Sequence, residues 1–501
     1  MSTLGPLVRF VLLTLALSGS VAASQTPADG SCRETLGWLA DTFSANDAGY
    51  PAAVESKGPA TYAEMLAGLA GRAAEAPHGP ACRAVLADYL AWFRRGHVGV
   101  SYISREAPSA PTPEPSADEL RARYAGAWSV EVDVPALRDR LRRAPGPPTL
   151  EGLWSRGPYE VAVVRADTSG AERYLGVVVA SASAWWRPGQ VKFELFPAGR
   201  PGGGFGTFWL RDHSPVALTA VEPVGDAALD LRPVGTYTRT DPAVVPDPAA
   251  AVYLADRAAA GPVFRQLSPQ TAYLRVPSFG GSQKARIDSV LAAHHDALTR
   301  TPNLVVDIRG NGGGSDASYA GLLDLLYTTP IRQVSAELRS TPLNDSRNDV
   351  LLADPDAPEE VKDWARDVAA RLLASDAEWV PMTDAPVVLE RRDTVYAAPA
   401  RVLILTDEGN ASTAEQFLLD ARQSFKVKTV GARTAGVLDV SNLNAVTSPD
   451  GRYELAYAIS RSLRIPEMAI DGVGLAPDVY LDASVPRWRW VEHARRTLEG
   501  E

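Results

Sequence analysis

Two stretches of the chain repeat one pattern of apolar and polar positions. Val402, Leu403, Ile404 and Leu405 form an unbroken apolar run, which predicts a short buried strand over residues 401–406. A polar loop of Asp407, Glu408, Gly409 and Asn410 follows. Ala414, Phe417, Leu418 and Ala421 then recur at i, i+3, i+4 and i+7, the apolar face of a helix. Upstream, residues 304–308 read as another buried strand, residues 309–314 (RGNGGG) as a glycine-rich turn open to close backbone approach, and residues 315–327 as a helix.

Around this pair the texture of the chain changes several times. Residues 1–23 hold Arg9, an apolar run over 10–17 and Val21-Ala22-Ala23, the signature of a targeting segment with a small-residue cleavage site. The run is too short to span a bilayer, and no cysteine follows it to take a lipid, so an exported protein without an integral membrane anchor is expected. Residues 24–102 read as a helical domain with Trp38, Leu39, Phe43, Met65, Leu66, Leu69, Leu86, Tyr89 and Leu90 on its apolar faces. Residues 103–120 form a proline-rich, extended linker (APSAPTPEP over 107–115). Residues 121–245 form a β-rich insert, a small barrel or sandwich, with strands at 159–164, 174–180, 190–196, 207–210 and 228–231. Trp154, Trp185, Trp186, Phe193, Phe208 and Trp209 supply its core. Within the α/β core at 250–485, a charged helix over 358–373 is placed to cap a site, and residues 440–460 are a hairpin turning at Pro449, Asp450 and Gly451. The tail, 486–501, is amphipathic through Trp488, Trp490 and Val491 and is expected to pack on the core.

Composition narrows the function. The chain has 501 residues, 46% of them hydrophobic, and a net charge of −10, which supports several packed cores and gives no basic patch for nucleic acid. There is no HExxH motif, no phosphate-loop Gly-Lys-Ser/Thr and no GxGxxG, so neither a metal nor a cofactor is expected. The two cysteines, Cys32 and Cys82, are an even count in an oxidising compartment and predict a disulfide. Closing that loop stabilises the fold by roughly 4 kcal/mol on the loop-entropy account.

The chemistry gathers at the two repeated stretches. A serine at a strand–loop–helix junction lies beside the unpaired N–H groups of the helix start, where an oxyanion is stabilised; Ser412 has that placement. Ser412-x-x-Glu415 is equally a capping box. The glycine-rich turn offers exposed N–H donors of the same kind.

Together, VVDIRGNGGG and ILTDEGNASTAEQF, with YLRVPSF over 273–279 and DGVGLAPD over 471–478, resemble the tail-specific (carboxy-terminal processing) serine proteases. The resemblance covers residues 250–485 and a short piece around His97. It implies an α/β fold with a ClpP/crotonase-like core of strand–helix units, and a serine-type peptidase acting on a protein or peptide substrate in the bacterial periplasm or outside the cell. Ser412 would be the nucleophile, and the N–H of Thr413 with that of Gly312 or Gly313 the oxyanion hole. Many members place a lysine base just after a Gly-x-x-Thr-x-Gly segment. Here Gly431–Gly436 is followed by Val437, and Lys426 and Lys428 read as solvent-face residues. The chain resembles instead the branch typified by the tricorn protease core, with a distant histidine and a late acidic residue. His97, between Gly96 and Gly99, fits the first role; His78, His213, His294, His295 and His493 read as structural or exposed. Asp471 matches the acid most nearly, with Glu467 and Asp439 as rivals. A histidine base predicts activity falling as pH drops through about 6–7. Relatives with a peptide-binding PDZ domain in the insert region carry a loop absent here. Retinoid-binding modules share the core, so a non-catalytic ligand- or peptide-binding protein is the alternative.

Overall fold

The computed structural model describes residues 30–103, 114–143, 150–166, 172–197, 204–355 and 359–501. The predicted targeting segment, 1–23, and residues 104–113 of the linker lie outside them. Among the described residues no helix is long and apolar enough to cross a membrane. They fall into two compact units, one of residues 30–103, 260–480 and 495–501, the other of 114–259 and 481–494.

The first unit is built on a six-stranded sheet in the order 263–268, 271–275, 303–307, 401–406, 427–431, 479–480. Only the first pair is antiparallel; the others run parallel. Parallel neighbours need crossovers, and Lys284–Ala293, Ala320–Leu326 and Thr413–Ala421 supply them. Covered strands have two apolar faces, which is why Leu304–Val306 and Val402–Leu405 are unbroken apolar runs and are buried throughout. Val306, Ile308, Ile404, Leu322, Phe417 and Leu418 meet in one cluster. The expected α/β core of strand–helix units is therefore present, and the two repeated stretches are adjacent strands in register, Asn303 beside Arg401 and Asp307 beside Leu405.

A second, antiparallel sheet in this unit carries the hairpin of Val440–Thr447 and Tyr453–Ser462. The long second strand also pairs with Gly99–Tyr102, Gly99 opposite Ala456, and with Ala336–Arg339. Four helices, Cys32–Asn46, Tyr50–Lys57, Pro59–Glu75 and Pro80–Phe93, pack on it. Leu39, Phe43, Leu86 and Tyr89 share a cluster with Tyr453, Leu455 and Tyr457. Cys32 and Cys82 are disulfide-bonded, as expected. Val368, from the charged helix, here Glu359–Leu373, and Met382 beyond it enter this same cluster, so that helix is packed by its apolar face.

The second unit is one nine-stranded antiparallel sheet, in the order 215–218, 205–209, 191–196, 174–181, 159–165, 152–156, 235–241, 228–232, 220–224. Its two edge strands are consecutive and separated only by Thr219, so the sheet curls on itself. Trp154, Trp186, Phe193 and Phe208 are buried in its core as expected; Trp185 and Trp209 are only half-buried at its margin. The tail departs from expectation. Residues 481–494 belong to this unit, where Trp488 packs against the cluster of Val224, Ala250 and Tyr253. The last turn belongs to the other unit, Glu499 accepting from the hydroxyls of Ser268 and Thr271.

Candidate active site

Ser412 follows the Arg401–Thr406 strand and immediately precedes the helix Thr413–Ala421. Its φ of 60° and ψ of −127° put a non-glycine residue in left-handed space, a conformation costing about 1–3 kcal/mol that persists only where surroundings impose it. The Ser412 N–H donates to Val437 O at 2.7 Å and, at 3.3 Å, to Glu415 Oε2. Glu415 is more than half of a capping box. Its buried carboxylate also accepts from the Thr434 hydroxyl at 2.5 Å and from the N–H groups of Gly436 and Val437, both at 2.8 Å. Burial pushes this carboxyl up in pKa, and those hydrogen bonds oppose the rise. The Thr434–Val437 loop is thereby fastened to the serine backbone.

The glycine-rich turn lies against Ser412. Asp307 binds Arg309 at 2.9 and 2.6 Å and Tyr273 at 3.1 Å, closing the start of the turn. Asp407 takes the Gly310 N–H at 2.8 Å and Asn410 caps the Ile308 carbonyl at 2.5 Å, which ties it to the loop after the neighbouring strand. A Cβ on Gly313 would stand 2.8 Å from Ser412 Cβ and 2.9 Å from Thr413 N; only glycine lets the turn come this close. The three oxyanion candidates are therefore together, but they are not equivalent. The Gly313 N–H donates to Asn311 Oδ1 at 2.9 Å, since the Asn311 side chain folds back on its own turn. Gly312 and Thr413 are the remaining donors.

His97 reaches Ser412 across 315 residues of sequence, Nε2 lying 3.1 Å from Ser412 Oγ. Its Nδ1 is 2.7 Å from the carbonyl oxygen of Val440. A carbonyl only accepts, so Nδ1 carries the proton and Nε2 is left as the acceptor facing the serine hydroxyl. Burial is the main cause that lowers the imidazole to about 4, the Arg94 charge adding to it and the Val440 bond opposing it. That departs from the ordinary histidine range on which the pH expectation rested: the site holds a neutral imidazole across neutral pH. His97 also has positive φ, 52°. Gly96 beside it is required, because a Cβ there would lie 2.1 Å from Val437 Cγ1. The valine standing at the lysine position thus packs on the glycine that precedes the histidine.

The acidic partner differs from expectation. The acceptor on His97 Nδ1 is the Val440 carbonyl, and no carboxylate. The carboxylate of Asp471 is filled instead by the N–H groups of Leu438, Asp439 and Val440, at 2.5, 2.7 and 3.1 Å. Asp439, the first rival, accepts from Arg464 Nε at 3.0 Å and from the N–H groups of Ile470 and Asp471 at 2.5 and 2.9 Å. Glu467 is exposed. The two aspartates therefore cross-brace the 438–440 and 470–471 segments, and Asp471 reaches the histidine only through the peptide that presents the Val440 carbonyl. Burial raises its pKa first of all, with those N–H bonds opposing. Sequence reasoning missed Val440, since a backbone acceptor leaves no mark on residue type. It also missed the wider part of Glu415, whose spacing from Ser412 was read only as a cap, and Arg94, which donates to the carbonyls of Gly96 and His97.

Residues 270–481 match the family described as Peptidase family S41. That stretch, under half of the chain, is what is similar to the S41 peptidases. No curated protein matches it at a significant level. Among solved structures, mature CPAF complexed with lactacystin is similar over 94% of this chain and 97% of its own, at 15% identity and a TM-score of 0.50, a likeness of fold. The tricorn protease aligns over 94% of this chain and 37% of its own at 11% identity, with a TM-score of 0.41. A peptidase structure from Parabacteroides merdae aligns at 16% identity over 48% of this chain, with a TM-score of 0.33, and this chain spans 64% of that one. S41 members are serine-type peptidases of the tail-specific kind, and the expected family and fold class stand.

Proposed function

We propose that this chain is an exported serine endopeptidase that cleaves protein or peptide substrates through an acyl-enzyme on Ser412. The observation that carries the reading is the 3.1 Å approach of His97 Nε2 to Ser412 Oγ, with the proton fixed on the opposite nitrogen by Val440. A serine hydroxyl attacks only when a base within hydrogen-bond reach takes its proton. As Ser412 Oγ bonds to the scissile carbonyl carbon, His97 Nε2 accepts that proton. The oxygen, now negative, is met by the N–H groups of Gly312 and Thr413. His97 returns the proton to the leaving amine, which departs and leaves the acyl group on Ser412. A water, losing its proton to His97, then attacks the ester, and Ser412 is regenerated.

The charge that forms on His97 faces a carbonyl dipole in place of a carboxylate. Asp471 acts by fixing the segment that carries this carbonyl. Export is supported by the leader-like residues 1–23 and by the Cys32–Cys82 disulfide, which persists in oxidising compartments.

Hydrolysis of a quenched-fluorescent peptide library by purified protein tests the reading. Ser412→Ala and His97→Ala should each lose several powers of ten in rate, while stability changes by about 1 kcal/mol for a lost helix cap. Ser412→Asn retains a capping side chain but forms no ordinary acyl-enzyme. A Ser412→Asn protein that still hydrolyses the library would return the serine to the role of a cap and favour a non-catalytic binding protein.

A further inference from the structure

Two helices leave one disulfide and arrive at one ion pair. Cys32 opens the helix Cys32–Asn46, and Cys82 lies in the first turn of Pro80–Phe93. The residue following the first helix is Asp47, and the residue following the second is Arg94. Arg94 Nη1 and Nη2 donate to the two carboxylate oxygens of Asp47 at 2.7 and 2.5 Å. Asp47 is fully buried and also accepts from the N–H groups of Gly49 and Ala458, at 2.9 and 3.1 Å. Gly49 makes room for the fork, since a Cβ there would stand 2.8 Å from Arg94 Nη1. The guanidinium also turns toward the chain that follows it: Nε donates to Gly96 O and Nη2 to His97 O, both at 3.0 Å.

Nothing in the proposed chemistry uses this pair, yet it grips the backbone of the proposed base. It draws the carbonyls of Gly96 and His97 onto one planar cation, which accounts for a histidine held at φ 52°. Through Ala458 it is anchored to the same long strand whose partner, Val440–Thr447, presents the carbonyl to His97 Nδ1. A lysine offers a point charge where arginine offers a rigid fork, so the geometry and the charge of Arg94 are separable.

We propose that Arg94, fixed by Asp47, is a positioning residue that sets the backbone of His97 and so the approach of its ring to Ser412. The inference rests on the reading of Ser412 and His97 as the catalytic pair. The charged groups around the ring are Arg94 on its own segment, Asp471 and Asp439 behind residues 438–440, and Glu415 behind Ser412. Of these, Arg94 is the one whose charge depresses the imidazole.

The test uses the full chain as Arg94→Gln, Arg94→Lys and Asp47→Asn, with two readouts. One is the rate of Ser412 labelling by a fluorophosphonate. The other is the titration of the His97 ring followed by NMR on protein carrying 13C-labelled histidine, assigned by the signal missing in His97→Gln. Arg94→Gln should label about 10- to 100-fold more slowly, the effect of a small misplacement of a reacting group, and its ring should titrate at higher pH than in wild type. Arg94→Lys should also label slowly but keep the wild-type titration, because it retains charge without the fork. Arg94→Gln with wild-type labelling and wild-type titration overturns the proposal. Should Arg94→Gln fail to fold, Arg94→Lys and Asp47→Asn decide: wild-type labelling in both overturns it. Failure of the catalytic reading is separately visible, as wild-type protein whose labelling is unaffected by His97→Ala.

Discussion

Ser412 and His97 both hold positive φ without being glycine, and each is held there by neighbours that do no chemistry: Glu415 and the Val437 carbonyl for the serine, Arg94 for the histidine. Strain stored at the proposed reacting pair is expected where geometry matters more than local comfort. Burial leaves the imidazole proposed as the base neutral at rest. Its pKa is lowered to about 4, so the active, deprotonated form persists on acidification until pH approaches that value and is lost below it. Labelling of Ser412 should therefore be flat from neutral pH down to about 5 and fall on further acidification, with circular dichroism confirming that the chain stays folded; a midpoint of 6–7 would mean the ring is better solvated than this packing allows. Gly313→Ala adds a methyl group 2.9 Å from Thr413 N, at a φ of 103°. It should cut turnover by about 10²-fold or more, the effect of losing an oxyanion donor, measured as kcat at saturating peptide. Wild-type turnover in this variant would take the turn out of the oxyanion site.

At the scale of elements, legibility followed periodicity. The strands Asn303–Asp307 and Arg401–Thr406 were readable because a strand covered on both faces has no polar alternation to blur it. The helix after Ser412 was readable from Ala414, Phe417, Leu418 and Ala421. In the β unit, Gly152–Arg156, Pro215–Leu218, Ala220–Val224 and Gly235–Asp241 escaped: the second is an edge strand with Pro215 and Ala217 exposed, and the last sets exposed Thr238 and Thr240 between buried Tyr237 and Arg239, a charged residue on the covered face. The cysteine pair was predicted from count and compartment, and its place at the start of two helices gives it a consequence. Reducing Cys32–Cys82, or replacing both by alanine, should lower the melting temperature, the loop-closure term being roughly 4 kcal/mol. Because those helices end at Asp47 and Arg94, labelling of Ser412 should slow as well. A melting temperature that does not move on verified reduction would deny the bridge a part in stability.

Across the whole molecule, the site depends on contacts that no local pattern records. His97 meets Ser412 because Gly99–Tyr102 joins the long strand Tyr453–Ser462, whose other neighbour carries Val440. The histidine could be singled out only by its flanking glycines and the family's pattern. Its acceptor could not be found at all, because it is a main-chain oxygen. Asp471 was chosen for the right segment and the wrong contact. It lies behind Val440, holding three N–H groups, and the sequence position of an acid does not say whether it faces a ring or a backbone. The N-terminal helices are likewise part of the site's support, sharing one core with the hairpin.

Whether Ser412 and His97 form one reacting pair is decided by active-site labelling. Purified chain is treated with a fluorophosphonate, digested and mapped by mass spectrometry, alongside Ser412→Ala and His97→Ala. One phosphonylated residue is expected, Ser412, with no adduct in Ser412→Ala and labelling slowed by at least about 10²-fold in His97→Ala, the lower range of general-base contributions. An adduct on another residue, or a His97→Ala protein that labels Ser412 at the wild-type rate, would contradict that pairing.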